Sequence, residues 1–587
     1  MTVRSLQTAI LATAAGCSTL QPVTHDPSFH ITSESFVASY FQERPGQGVA
    51  LGWHQYDGQF VVPTTEVLAA EHRHLVAAKA QFDRFTPGTL QPEEAWDREL
   101  IRLQLEKDLW GLDVARSPWR NPMDYAGAID IQIYLKRDFA PLSERVRSAT
   151  RILTNAPAVF ASARVNLEPN LPKPFVETAI EVAAGGASFL EHDGLSQVRT
   201  CTDAAAVSAF EEAASTAIKE FKEFASWLKT ERLPHADNTS YAVGEKGFAA
   251  MLRNEHIDLP PADILKIGLA ELKKEQQRFA EAARVVDPSR PPIEVFKSIQ
   301  KDHPTAATLI PDSRQHLNDI RQYIVQQRLL TIPGTTTVRV EETPPPLRST
   351  TFASMDTPGP FETKAAEAYY YITPAEPQWP VAQQEEWLTA FNYYTTDVVS
   401  IHEAYPGHYV QFLALNASGA GMVKKVFTSY AFAEGWAHYC EQMMLDAGFP
   451  AAAPGEAAAE RTLRAAKYRL AQSDEALLRL CRLCCAVRLH CGGMTVDQAA
   501  RFFEDNCYYE PKPARQEAVR GTFDPEYGFY TLGKLQILKL RHDCETQDGT
   551  AFDLQKFHDR LLSRGAPPLR LLRESLLTDP KTWGAIL

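Results

Sequence analysis

The sequence predicts a mainly α protein, a large helical fold of two lobes with a small β-sheet beside the helix that carries His402. Three observations predict it. From about residue 28 to 330, apolar residues recur every three or four positions, as in PEEAWDRELIRLQLEKDLWGL and PADILKIGLAELKKEQQRFAEAARVV, which is the period of helices with one buried face. The texture changes at TTTVRVEETPPPLRSTTF and KAAEAYYYITPAEPQWP, where β-branched and aromatic residues stand between prolines. Beyond residue 382 the helical period returns and runs to the end.

Taken in order, residues 1–27 read MTVRSLQTAILATAAGCSTLQP and onward: one basic residue, a short weakly apolar run, then small residues ending at Cys17. The run is too short to span a membrane. It reads either as an export leader, with Ala14-Ala15-Gly16-Cys17 resembling a bacterial lipoprotein cleavage box that would lipidate Cys17, or as a cytosolic terminus. Export would place the protein in the periplasm or on a membrane surface. Residues 28–330 form the helical N-terminal lobe, punctuated by breaks such as ERLPHADNTS and DPSRPP. Residues 331–587 form the second lobe. It opens with short strands expected at Thr337–Val340 and Tyr369–Thr373, and Pro344–Pro346 make a stiff connection between them.

With 587 residues, 44% of them hydrophobic, the chain can bury a large core. Its net charge of -13, with no long Lys/Arg block, argues against nucleic acid as a partner. Cys481, Cys484 and Cys485 fall at i, i+3 and i+4 among leucines, the spacing of a buried helical stripe and not of a metal knuckle, which would need a second matching pair.

The chemistry concentrates in IHEAYPGHYVQF, residues 401–412. In HExxH the two histidines are four residues apart and share one helical face, with the Glu beside them as general base. Here His402 and His408 are six apart, about 600° of turn and about 9 Å of rise on a regular helix. Pro406 and Gly407 lie between them. A helix that bulges across Tyr405–Gly407 would return His408 to the second ligand position; a helix that ends at Tyr405 would leave it an ordinary polar residue. A second motif follows in VFTSYAFAEGWAHYCEQMMLDAG, where Glu434, His438 and Glu441 stand at i, i+4 and i+7 on one face of an otherwise apolar helix. Buried acid and imidazole groups need partners, and a cation supplies one. The two segments together point to His402, His408 and Glu434 as ligands of one Zn2+ per chain, with His438 and Glu441 behind them or lining the pocket.

HEAYPGHYVQ followed by AEGWAHYCEQM resembles a large, mostly bacterial family known only as a domain of unknown function, in which HExxPGH and EGWA motifs recur. More distantly it is similar to the gluzincin metallopeptidases, whose third ligand is a Glu on a later helix. The segments YAVGEKGFAAML and RGTFDPEYGFYTLGKLQILKLR carry the likeness further along the chain. The resemblance implies a metallopeptidase-like fold and a zinc-dependent hydrolysis of peptides, with Glu403 as general base. With its residue type it points to Tyr530 as a hydrogen-bond donor to the oxyanion, where a core aromatic is the competing account. Arg520 and Arg541 flank Tyr530 in sequence and are either carboxylate-binding or structural. The strand around Tyr370 and Tyr371 either offers its edge to an extended peptide or is buried in the sheet. Two other functions fit the same residues: a zinc hydrolase of a non-peptide amide or ester, and a surface-anchored binding protein with a structural zinc, which would need a fourth protein ligand such as His438.

Overall fold

The computed structural model describes residues 27–343, 348 and 353–587. The Cys17 box and the Pro344–Pro346 connection lie outside the described residues. Among the described residues helices dominate, and a single three-stranded sheet stands among them. Among the described residues, no helix is long and apolar enough to cross a membrane.

Apolar periodicity forms these helices as the sequence leads one to expect. In helix α1 (Pro261–Val286) the chain enters through Pro260 and Pro261, and Ile264, Gly268, Leu272, Phe279, Ala282 and Ala283 form the buried stripe. Helix α1 lies on the N-terminal side of the expected boundary at residue 330, and it packs lengthwise on a helix from beyond that boundary, α5 (Ala458–Cys491). Cys481, Cys484 and Cys485 are buried on α5 with free thiols, the apolar stripe that their spacing predicts.

The sheet departs from expectation. Strands β1 (Arg339–Glu342), β2 (Ala353–Asp356) and β3 (Tyr369–Ile372) are ordered β1-β3-β2, with β1 parallel and β2 antiparallel to β3. The first strand starts later than Thr337 because its ladder begins where Arg339 pairs with Tyr369, while the Val338 amide donates to the Tyr405 hydroxyl at 3.2 Å. β2 was not expected from its sequence, ASMD, and it changes the role of β3. With a neighbour on each side, β3 has no free edge, so Tyr369–Thr373 does not offer one to a peptide.

Four further helices build the region beside the sheet: α2 (Tyr393–Glu403), α3 (His408–Ala417), α4 (Tyr430–Asp446) and α6 (Phe529–Asp548). Helices α4 and α6 cross at a pair of glycines. A Cβ on Gly435 would stand 2.5 Å from the Gly533 backbone, and one on Gly533 would stand 1.8 Å from the Ala431 carbonyl oxygen. Only backbone fits at this crossing, which is what brings Glu434 and Tyr530 to one place.

Gly533→Ala is therefore expected to lower stability by roughly 3 kcal/mol, the upper range for overpacking. Gly185→Ala, in a helix where an added Cβ meets nothing, is expected to leave it unchanged or slightly higher. Urea unfolding midpoints check both; equal effects would mean that the crossing tolerates side chains.

Candidate metal centre

The path between the two histidines is neither a continuous bulged helix nor a simple helix end. Helix α2 stops at Glu403 and α3 begins at His408, and the turn between them coils back on α2. The Tyr405 amide donates to Ser400 O at 3.2 Å and the Gly407 amide to Ile401 O at 3.0 Å. Pro406 has no amide to continue the helix ladder. A Cβ on Gly407 would fall 1.7 Å from the His402 carbonyl oxygen, so this fold-back requires glycine. The expected loop-out across Tyr405–Gly407 takes the form of these widened i→i−5 and i→i−6 bonds, and it divides the segment into two helices instead of leaving one bulged helix. His408 nevertheless returns beside His402, with ring centroids 4.8 Å apart and rings at 88°.

Trp436 Nε1 donates to Pro406 O at 2.9 Å, pinning the turn to α4 two residues from Glu434. There Glu434 Oε2 lies 3.5 Å from His402 Nε2 and 3.4 Å from His408 Nε2, and it has no hydrogen-bond partner although it is buried. Among the described residues His402, His408 and Glu434 are the group whose donor atoms converge, all within 4.8 Å of one another. Zinc bonds of about 2.0–2.1 Å in a tetrahedron put neighbouring donors about 3.4 Å apart, so the separations of the Glu434 oxygen from the two imidazole nitrogens fit a zinc-like ion.

Behind the donors sits Glu441, fully buried. Its Oε1 accepts from His402 Nδ1 at 2.7 Å and its Oε2 from His438 Nδ1 at 2.9 Å. Because a carboxylate only accepts, the proton of His402 belongs on Nδ1, which leaves the Nε2 lone pair facing Glu434 and His408. Burial would push Glu441 up, but the Arg479 guanidinium and the two imidazoles hold it well below the carboxylate range. Burial likewise disfavours charge on His402, yet Glu434 and Glu441 outweigh it and raise this imidazole to about 9. Burial also opposes the charge on Glu434, and His402 and His408 overcome it. His438 goes the other way: burial, with Lys534 nearby, lowers it to about 3, so it stays neutral behind the site.

The remaining candidates divide. Glu403, half-buried, ends α2 next to His402. Tyr530 lies near-parallel to the His402 ring, centroids 6.3 Å apart and planes at 17°. Arg520 is tied to Asp524 at 2.9 and 3.0 Å. Arg541 does not flank the site: it is eleven residues beyond Tyr530 on α6, about 16 Å along the axis, and donates to Glu545 and the Tyr439 hydroxyl. Tyr370 is buried in the central strand, where its hydroxyl accepts from Ser400 Oγ at 3.3 Å, and Tyr371 stacks on Tyr369 at 5.4 Å. Both serve the sheet and its packing on α2. Sequence reasoning missed Tyr430, whose ring is 5.9 Å from that of Tyr530, and the arginines of α5. Arg479 and Arg482 lie 5.6 and 5.4 Å from the Tyr530 ring centre. The available signal was two charges at i, i+3 inside a run of leucines and cysteines.

Two outcomes are expected. His408→Ala and Glu434→Ala should each lose the metal, about one ion per chain in the wild type by elemental mass spectrometry; unchanged stoichiometry and affinity would remove that residue from the ligand set. Because the ion must displace a proton from His402, apparent affinity should rise by up to about tenfold per pH unit between 6.5 and 9, then level off. The metal-free protein should behave in the opposite sense. Its stability from the raised His402 value is complete below 6.5 and disappears as pH rises through about 9. Chelator competition and urea midpoints across this range measure the two, and flat profiles would contradict the raised His402 value.

Comparison with known proteins agrees on the fold. A candidate lipoprotein of unknown function from Shewanella oneidensis superposes with a TM-score of 0.76 at 24% identity, covering 94% of this chain and 100% of that one. A candidate lipoprotein from Colwellia psychrerythraea gives 0.77 at 16% identity, covering 95% and 99%. No curated protein matches the chain. The family model described as "Bacterial protein of unknown function (DUF885)" matches residues 45–576, nearly the whole length, and the chain belongs to that bacterial family.

Proposed function

We propose that this chain is a zinc-dependent peptidase with a gluzincin-like, two-lobed arrangement, and that the HExxPGH and EGWA segments carry its ligands. The observation behind this reading is the convergence of His402 Nε2, His408 Nε2 and Glu434 Oε2, with an acid, Glu403, on the residue after the first ligand. Three protein ligands leave a coordination position open, as hydrolytic sites do. His438 does not close it, since its Nδ1 is committed to Glu441 and it is not among the converging donors. That counts against a purely structural ion.

A bound zinc ion supplies Lewis acidity, bringing water ionisation toward neutral pH and polarising a carbonyl. The chain's own groups do the rest. Glu403 accepts the proton of the attacking water and returns it to the leaving amine. Tyr530 donates its phenolic proton in a hydrogen bond to the developing oxyanion without itself ionising. Glu441 keeps the His402 ring oriented through the reaction. For location, the structural neighbours' description as candidate lipoproteins supports reading Cys17 as the attachment point of an exported, membrane-tethered enzyme.

Glu403→Gln is expected to keep metal content near wild type and to lower turnover of a peptide library at least 100-fold. Tyr530→Phe should lose about 100-fold in kcat. Retained turnover in Glu403→Gln would remove it as the base, and a metal-loaded wild type that cleaves esters but no peptide would replace the peptidase reading.

A further inference from the structure

The site as described leaves open what holds the Glu441 carboxylate and the Tyr530 ring in place. A single residue, Arg479 of α5, lies beside both. It is buried, its Nη2 lies 3.5 Å from Glu441 Oε1, and its guanidinium carbon lies 5.6 Å from the centre of the Tyr530 ring. Its Nη1 is anchored by the carbonyl oxygen of Glu475 at 2.9 Å and by the Glu475 carboxylate. One helical turn on, Arg482 is clamped by Glu517 through two bonds of 2.7 and 2.8 Å and lies 5.4 Å from the same ring.

Two roles are open to such arginines beside a hydrolytic site: holding an anionic substrate or holding the apparatus. The charges decide between them. Arg479 already faces Glu441 and Glu475, Arg482 faces Glu517, and Arg520 faces Asp524. A substrate carboxylate brought there would meet more acids than free cations. A planar guanidinium, by contrast, can bond a carboxylate at its edge and lie against an aromatic ring with its face, which a lysine ammonium cannot do at once.

We propose that Arg479 is a positioning residue that joins the two halves of the site: through Glu441 it holds the His402 ring, and through the Tyr530 ring it holds the phenol toward the metal donors. The proposal rests on the reading of His402, His408 and Glu434 as metal ligands and of Tyr530 as the oxyanion donor. Arg482 serves the second contact only.

The test is a pair of double-mutant cycles on the full chain, reading zinc affinity by chelator competition and kcat and KM on a cleaved peptide. Arg479→Gln is expected to weaken zinc binding about tenfold and to lower kcat about 10- to 100-fold with KM near wild type. In a Glu441→Gln background it should cost no further zinc affinity. In a Tyr530→Phe background it should cost little further kcat while the loss of zinc affinity remains. Arg482→Gln should lower kcat and leave zinc affinity alone. Fully additive losses in both cycles, or unchanged zinc affinity in a folded Arg479→Gln, would overturn the proposal. Should that variant not fold, Arg479→Lys takes its place in the same cycles: its ammonium can keep only one of the two contacts, so zinc affinity or kcat is expected to fall, and a variant that loses neither would overturn the proposal. A wild type that holds zinc but hydrolyses nothing overturns the peptidase reading and the Tyr530 half together; the zinc cycle still decides the Glu441 half.

Discussion

A carboxylate with no exposure to water, Glu441, is the constraint on which this part of the molecule depends. Taken alone, an uncompensated buried charge costs several kcal/mol, so its partners must arrive together or the region does not close. They come from different helices: His402 from α2, His438 from α4 itself and Arg479 from α5. One oxygen aims the imidazole at the candidate metal position and the other holds the ring of His438, which burial and Lys534 keep neutral. The same demand for compensation that holds the helices together therefore orients the ring of His402.

Close backbone approach is the second constraint, and it works without charge. Gly407 allows the turn to lie on the end of α2, and Gly435 against Gly533 allows α4 and α6 to touch. Each replaces a side chain's thickness with contact between main chains. Their combined effect is to gather candidate ligands separated by 32 residues, from His402 to Glu434, and a phenol almost a hundred residues further on.

Much of this was legible in the sequence, because residue chemistry and helical period are local properties. Glu434, His438 and Glu441 share a face by spacing alone, and the structure brings all three to the rear or the rim of one cluster. What failed was three-dimensional. The fold-back at Gly407 depends on which atom the glycine touches, which no spacing reveals. The central place of β3 depends on β2, whose four residues have little β character. Arg541 was misplaced because nearness along a sequence becomes distance along a helix. Arg479 and Arg482 were passed over inside a stretch read for its leucines and cysteines, though a charge in such a stretch always has a partner to be found.

In an HExxH segment the two histidines are neighbours by the geometry of one helix, so even a short helical peptide presents both. Here they belong to separate helices, and their meeting depends on the indole of Trp436 reaching Pro406 O from a third. The segment by itself is thus no chelator. Under the zinc reading proposed above, ion capture and completion of the tertiary fold would be one thermodynamic event: the unfinished chain could not sequester metal, and the finished one would gain from the ion a stabilisation that spreads over every helix meeting at the turn.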